Sequence, residues 1–321
     1  MLRGMHHSRR DFVRALLTGA AGPTFTSPFL SRTVRAAQAP AAPPAIAVTK
    51  LPGRIAVLAN AGGNVGLVIG SDGLLMIDGG LPNRAADVAK AVAEIDGRRV
   101  QVLFNTHYHG DHVGSNEYLG KNKVRIVAHE NVKKRLGERI ESQAFGRTIE
   151  PLAPVGHPTE TFTGGGKLAF GPEPLEYTHI ALAHTDGDAF VYFPGANIIH
   201  TGDLLFLGRY PVVDFTVGGS LAGMAAALER IEKVGNAQTR VIPGHGPVAT
   251  KAELRAARET WLTINQRLET MAKEGRSADE VVKAAPTKEF DAKVGGQAAQ
   301  TAEGFLRQAY GGVLAARNRR S

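Results

Sequence analysis

The densest chemistry in this chain lies in Thr106-His107-Tyr108-His109-Gly110-Asp111-His112. Three imidazoles and one carboxylate fall there within six positions, directly after the apolar run Val100-Gln101-Val102-Leu103-Phe104. Neutral imidazole nitrogen and carboxylate oxygen are the donors zinc takes where no thiolate is offered. Four metal-capable side chains at the mouth of a strand make a poor core and a poor solvated face. In an extended or turn segment alternate side chains point the same way, so His107 and His109 can converge on one ion. Gly110 permits a turn, beyond which Asp111 and His112 can reach a second. Two ions about 3.5–4 Å apart are the arrangement of two-metal hydrolases.

The H-x-H-x-D-H pattern after a strand resembles the metallo-β-lactamase superfamily, and the later motifs follow in that family's order. Ala183-His184-Thr185-Asp186-Gly187-Asp188 resembles the third-histidine motif, His200-Thr201-Gly202-Asp203 the motif of the bridging aspartate, and Pro243-Gly244-His245-Gly246 the last-histidine motif. Upstream, Met76-Ile77-Asp78-Gly79-Gly80 resembles the strand-end aspartate that orients a ligand histidine. The resemblance implies one metal on His107, His109 and His184, a second on Asp111, His112 and His245, and Asp203 between them. Asp78 and Asp188 are then candidates to accept the far N–H of a ligand imidazole. The implied cofactors are two Zn2+, although iron or manganese can use the same donors.

Zinc-bound water ionises near about pH 7 rather than near about 15.7, so the implied chemistry is hydrolysis of an ester, lactone or amide-type bond. Asp111 and Asp203 are the candidates to steer the proton. Penicillin-hydrolysing members typically carry Cys or Ser where this chain has Asp203, which puts β-lactam hydrolysis in doubt without excluding it. Arg209 and Tyr210, just after the Asp203 motif, and Tyr108 between two ligands are candidate substrate contacts. His129, His157 and His179 lack ligand spacing, and His200 reads as structural. Two other classes compete: an iron-dependent oxidoreductase of the same fold, akin to persulfide dioxygenases, and a non-catalytic periplasmic metal-binding protein.

The first residues do not read as fold. Ser8-Arg9-Arg10-Asp11-Phe12-Val13 resembles a twin-arginine export signal, followed by a short apolar stretch and the A-x-A pattern Ala37-Gln38-Ala39. That stretch is far below the about 20 residues needed to span a bilayer. The expectation is a removable signal over 1–39, passage through the twin-arginine translocase, a periplasmic or secreted protein and no permanent membrane anchor. Removing 1–39 leaves 32 basic against 29 acidic residues, or +3, in place of +8 for the whole chain. So modest a charge gives little reason to expect nucleic acid as a partner; a small-molecule substrate is expected instead. With no cysteine, disulfides, thiolate ligands and cysteine nucleophiles are all excluded.

The elements that must position these groups follow from hydrophobic pattern. Residues 40–52 are Pro- and Ala-rich and read as a linker. Strands are expected at 54–60, 64–70, 74–78, 100–106, 123–128, 167–170, 175–180, 189–193, 197–201 and 240–243. Helices are expected at 82–95, 113–119, 130–141 and 220–234, the last with Leu221, Met224, Leu228 and Ile231 on one face. Pattern alone shows mixed α/β; the resemblance implies a four-layer αββα sandwich over 53–250. Thr250-Lys251-Ala252-Glu253 and Ser277-Ala278-Asp279-Glu280 are capping boxes that open a helical extension over 251–321, where lone Trp261 reads as a packing residue.

Overall fold

The strand Leu74–Ile77 reads Leu-Leu-Met-Ile and is buried at every position. A strand apolar throughout belongs in a sheet covered on both faces. In the computed structural model, which describes residues 42–171, 174–294 and 301–319, that is where it lies. The first sheet is built from β1 (Ala47–Leu51), β2 (Ile55–Ala59), β3 (Val65–Ile69), β4 (Leu74–Ile77), β5 (Val100–Phe104) and β6 (Arg125–His129). A separate hairpin follows, β7 (Ile140–Ser142) and β8 (Arg147–Ile149), before β9 (Glu160–Phe162) completes the sheet beside β6. Pairing is antiparallel from β1 to β4 and parallel from β4 through β5 and β6 to β9.

The second sheet runs in order β10 (Gly165–Leu168), β11 (Leu175–Ile180), β12 (Asp188–Phe193), β13 (Ile198–His200), β14 (Arg240–Ile242) and β15 (Ala249–Thr250). Only its β13–β14 pair is parallel. The two sheets pack face to face through Leu75, Ile77, Val102 and Phe104 on one side and Val191, Phe193, Ile198 and Ile242 on the other. The intervening residues Leu74, Met76 and Leu103 face outward, against helices α1 (Ala85–Ile95) and α3 (Asn116–Lys121), with the one-turn α2 (Gly110–Val113) before α3. Next come α4 (Glu130–Leu136), α5 (Leu221–Glu232), α6 (Lys251–Lys273), α7 (Ala278–Ala284), α8 (Asp291–Val294) and α9 (Ala302–Asn318). Of these, α5, α6 and α9 pack over the second sheet. The layers are therefore αββα, with the C-terminal helices added to the second outer layer. From Pro44 onward the chain forms one unit that includes these helices.

Some expectations need correction. The 40–52 segment is not all linker, because Ala47–Leu51 pairs residue by residue with β2. It is an edge strand, mostly exposed, and so lacks the alternation that marks a half-buried strand. The helix expected over 130–141 stops at Leu136 with Gly137 as its cap, and the chain turns into the β7–β8 hairpin. Both capping boxes form, at Thr250 and Ser277. The twin-arginine motif and the A-x-A pattern lie outside the described residues. No helix among the described residues is long and apolar enough to cross a membrane.

Candidate metal centre

The candidate donors all sit at strand ends. β5 delivers His107 and His109, α2 carries Asp111 and His112, the loop before β12 carries His184, the turn after β13 carries Asp203, and the loop after β14 carries His245. They assemble into two groups, His107, His109, His184 and Asp203 in one and Asp111, His112 and His245 in the other, with donor atoms in each within 4.8 Å of one another. Asp203 joins the groups. Its Oδ1 lies 3.0 Å from His112 Nε2 and 3.4 Å from His245 Nε2, and its Oδ2 lies 3.4 Å from His184 Nε2 and 3.7 Å from His107 Nε2.

Hydrogen bonds behind the rings decide which nitrogen faces inward. His112 Nδ1 bonds Asp78 Oδ2 at 2.7 Å, and His184 Nδ1 bonds the Val212 carbonyl at 2.8 Å. His107 Nδ1 meets Thr106 Oγ1 at 3.0 Å, and that hydroxyl donates to Asp78. His109 is turned the other way, its Nε2 bonding Asp214 Oδ2 at 3.0 Å. Because carbonyl and carboxylate only accept, His109 and His184 commit a proton to the outer partner. His109 Nδ1 and His184 Nε2 then turn inward and approach to 2.8 Å, a contact that either a shared proton or a cation between them satisfies. His107 Nε2, His112 Nε2 and Asp203 Oδ1 are buried without a hydrogen-bond partner among the described residues. Buried polar atoms are rarely left so, and this donor set fits divalent metal ions.

The electrostatics agree. Burial and the His112 imidazole hold His107 well below the ordinary range, and burial with His109 brings His184 down to about 4. Both offer neutral nitrogens. Burial opposes charge on His112, yet Asp203, Asp78 and Asp111 raise it well above the usual value. Asp203 stays ionised against burial because His112, His245 and His107 surround it. Protons on the second group thus occupy the place of a cation, and metal uptake should release them. Zinc affinity is accordingly expected to weaken as pH falls, measurable by titration at pH 6 to 8.

Backbone geometry brings Asp203 in close. A Cβ on Gly244 would lie 1.9 Å from Asp203 Oδ1, so only glycine lets the last-histidine loop pass this carboxylate. Gly244→Ala should displace Asp203 and lower metal content by at least about tenfold, read by elemental analysis after dialysis. Unchanged content would refute the close approach. Gly202 has φ +51°, and a Cβ there would strike Thr106.

Several expected roles change. Asp78 accepts from a ligand ring, but Asp188 does not; its carboxylate takes the backbone N–H groups of His184 and Thr185 and shapes the loop. Burial pushes the Asp188 carboxyl up to about 7 against those bonds. Tyr210 is fully buried, stacked on Phe305, with its hydroxyl donating to Asp291; it faces the C-terminal helices and no substrate. Tyr108 is also buried, and its hydroxyl donates to Asp214. Arg209 remains beside the centre, its Nη1 2.9 Å from His245 Nδ1. His200 packs on Gly66, with its Nδ1 accepting from Gly202 N–H at 3.2 Å. His129 and His179 stack on each other at 3.6 Å and belong to neither donor group.

Two contributors were missed. Asp214 orients His109; its only signal was a lone carboxylate in the apolar run Val212-Val213-Asp214-Phe215, where a buried charge needs partners. Phe145, at the tip of the β7–β8 hairpin, sets its ring edge-on to His109 at 5.2 Å and carries Arg147 over its face at 5.8 Å. No sequence signal marked it.

A profile of the metallo-beta-lactamase superfamily matches residues 60–257, more than half of the chain, and the chain belongs to that family. Hydroxyacylglutathione hydrolases from Gloeobacter violaceus and Synechococcus sp. (strain JA-3-3Ab) are 28% identical over 127 residues and 32% identical over 131. Each match covers 40% of this chain and 43% of the relative, so less than half of either hydrolase is spanned. A beta-lactamase-like protein 2 homolog of Caenorhabditis elegans is 26% identical over 191 residues, covering 55% of this chain and 53% of that one. Among solved structures, a metallo-beta-lactamase from Pontibacter korlensis superposes with TM-score 0.56 at 20% identity, over 68% of this chain and 99% of that one. DIM-1 metallo-beta-lactamase gives 0.53 at 16%, over 68% and 98%. At such identities these two establish the fold alone.

Proposed function

We propose that this chain is an exported dizinc hydrolase that cleaves an ester, lactone or amide-type bond. One observation carries the reading: two groups of metal-capable donors converge on Asp203, whose Oδ2 faces one group and whose Oδ1 faces the other. His107, His109 and His184 would hold one ion, Asp111, His112 and His245 the other, and Asp203 both. Bound there, two divalent ions supply a Lewis acid for a carbonyl oxygen and a water acidic enough to attack near neutral pH.

The residues divide the remaining work. Asp78, Thr106, Val212 and Asp214 hold the rings so that the correct nitrogen faces in. Asp111 is the most exposed of the seven donors, at 31% for its side chain. Burial opposes its charge, yet His112 and His245 hold it below the usual carboxylate range, so it stays ionised and is available as a metal donor. Arg209 can only donate, so in its present contact His245 Nδ1 accepts. Once that nitrogen carries the proton instead, the guanidinium is free to meet an anionic group of the substrate.

The hydrolase names of the relatives support acyl-bond cleavage. Export, proposed from the Arg9-Arg10 motif, favours an environmental lactone or ester over a cytoplasmic thioester. The test is a panel of lactones, esters, thioesters and β-lactams with zinc-loaded protein and elemental analysis beside it. Turnover with two zinc ions per chain supports the reading; one iron and no hydrolysis would favour the oxidoreductase class. Export is checked by fractionating cells that express the wild type or Arg9→Lys/Arg10→Lys, with periplasmic accumulation expected only for the former. Chelation gives a further prediction. At free zinc about 100-fold above Kd each ion adds about 2.7 kcal/mol, so EDTA should lower Tm by about 5 °C or more; a Tm indifferent to EDTA would argue against ions bound at this centre.

A further inference from the structure

A cavity of about 420 Å³ runs between α1 and α3 on the outer face of the first sheet. Small-molecule sites usually enclose about 300–1,000 Å³. Met76, Val92 and Leu119 form its apolar floor. The sequence of α1 explains the opening. Ala85, Ala89 and Ala93 all line it, and residues four apart share one row of a helix. That row puts nothing larger than a methyl group into the space. Its eight steps span about 12 Å at 1.5 Å per residue, so the space is elongated. Ala89 is half-buried and Ala93 exposed, which leaves it open to solvent.

The two ends differ. Gly114, just before α3, packs against Gly80, Leu81 and Pro82, just before α1, so Ala85 and Ser115 share one end. There the Ser115 hydroxyl is already spent on the Gly79 carbonyl at 2.5 Å. The other end holds Arg99, whose Nη2 reaches across to the Asn122 carbonyl, just past α3, at 3.0 Å. Arg98 and Arg99 are the charged residues of the lining, and no acidic residue lines it. Asp96 answers Arg98 at 2.6 Å. Arg99 is exposed and makes no ion pair among the described residues. One uncompensated cation therefore stands at one end of an apolar channel. Tyr118, 51% exposed on α3, walls the channel opposite α1. A chain lying there would take this ring and the methyl row out of water.

We propose that this channel is a binding site for a medium-chain alkyl carboxylate, with the carboxylate on Arg99 and the tail along Ala93, Ala89 and Ala85. None of the seven metal donors lines it, so the site stands or falls apart from the hydrolase reading.

The probe is octanoate, titrated calorimetrically into metal-free protein, where one saturable site is expected. Two counterparts divide its parts: 1-octanol keeps the tail without the charge, and acetate keeps the charge without the tail. Arg99→Gln should weaken octanoate about fivefold, the upper range of an exposed ion pair, and leave 1-octanol unchanged. Ala89→Leu installs a good helix former that fills the channel, and should abolish binding of both; circular dichroism checks that it folds. Absence of saturable octanoate binding, equal octanoate affinity in wild type and Arg99→Gln, saturation by acetate, or binding that persists in folded Ala89→Leu would each overturn the proposal. Octanoate that binds only after zinc loading would be a ligand of the metal centre, and would overturn it too.

Discussion

Asp203→Asn is expected to cut hydrolysis by about a thousandfold or more and to leave fewer than two ions per chain. The substitution keeps shape and removes one negative charge from a site only 4% exposed, where four imidazoles face the carboxylate at 3.0 to 3.7 Å. An amide has one oxygen for two donor groups, and its NH2 would turn toward lone pairs that a cation needs. Metal ions supply several kcal/mol of charge stabilisation in such reactions, and every 1.36 kcal/mol is about tenfold in rate. Elemental analysis after dialysis and kcat on the best substrate of the panel read both effects. A variant that keeps two ions and wild-type turnover would end the dizinc reading.

The second large effect is at Asp78. Its carboxylate is fully buried and accepts from Thr106 N–H and Thr106 Oγ1, each at 2.8 Å, and from His112 Nδ1 at 2.7 Å. Asp78→Ala leaves three buried donors unpaired, at about 1–3 kcal/mol each before relaxation. It also places alanine at φ +65°, a region that Asp and Asn tolerate better. A loss of about 3–5 kcal/mol in metal-free stability is expected from urea unfolding in EDTA. Asp78→Asn should keep more of that stability yet lose about 10- to 100-fold in zinc affinity, because the amide cannot accept from both Thr106 and His112 in the same way. Wild-type zinc binding by Asp78→Asn would show that the ring needs no such support.

What could be read beforehand follows from how local each signal is. His107, His109, Asp111 and His112 announce themselves because four donors fall within six residues. The strands Leu74–Ile77 and Val100–Phe104 are legible because both faces are covered and their residues are largely apolar. Asp214 was hidden because its partners, Tyr108 and His109, are over 100 residues away. Tyr210 was misassigned by its neighbour: Arg209 reaches His245 while the next side chain goes to Asp291 and Phe305, as alternation along an extended segment allows. Asp188 had the right address and the wrong partner, since spacing does not say whether a carboxylate meets ring or backbone. The edge strand Ala47–Leu51 and the hairpin that carries Phe145 are largely polar or exposed, so periodicity could not separate them from loop.

Asp203 and His245 stand on the second sheet, whereas His107 and His112 stand at the end of the first, and Asn64 ties the two by donating to the Pro243 and Gly246 carbonyls at 2.8 and 2.9 Å. Neither half alone owns a complete cage. Any breathing that parts the layers at this end pulls the chelate open, so ion escape and sandwich opening become one event. The rate at which a trapped ion exchanges with a scavenging chelator would then serve as a clock for that opening, slowed by whatever cements the halves and quickened by loosening Asn64.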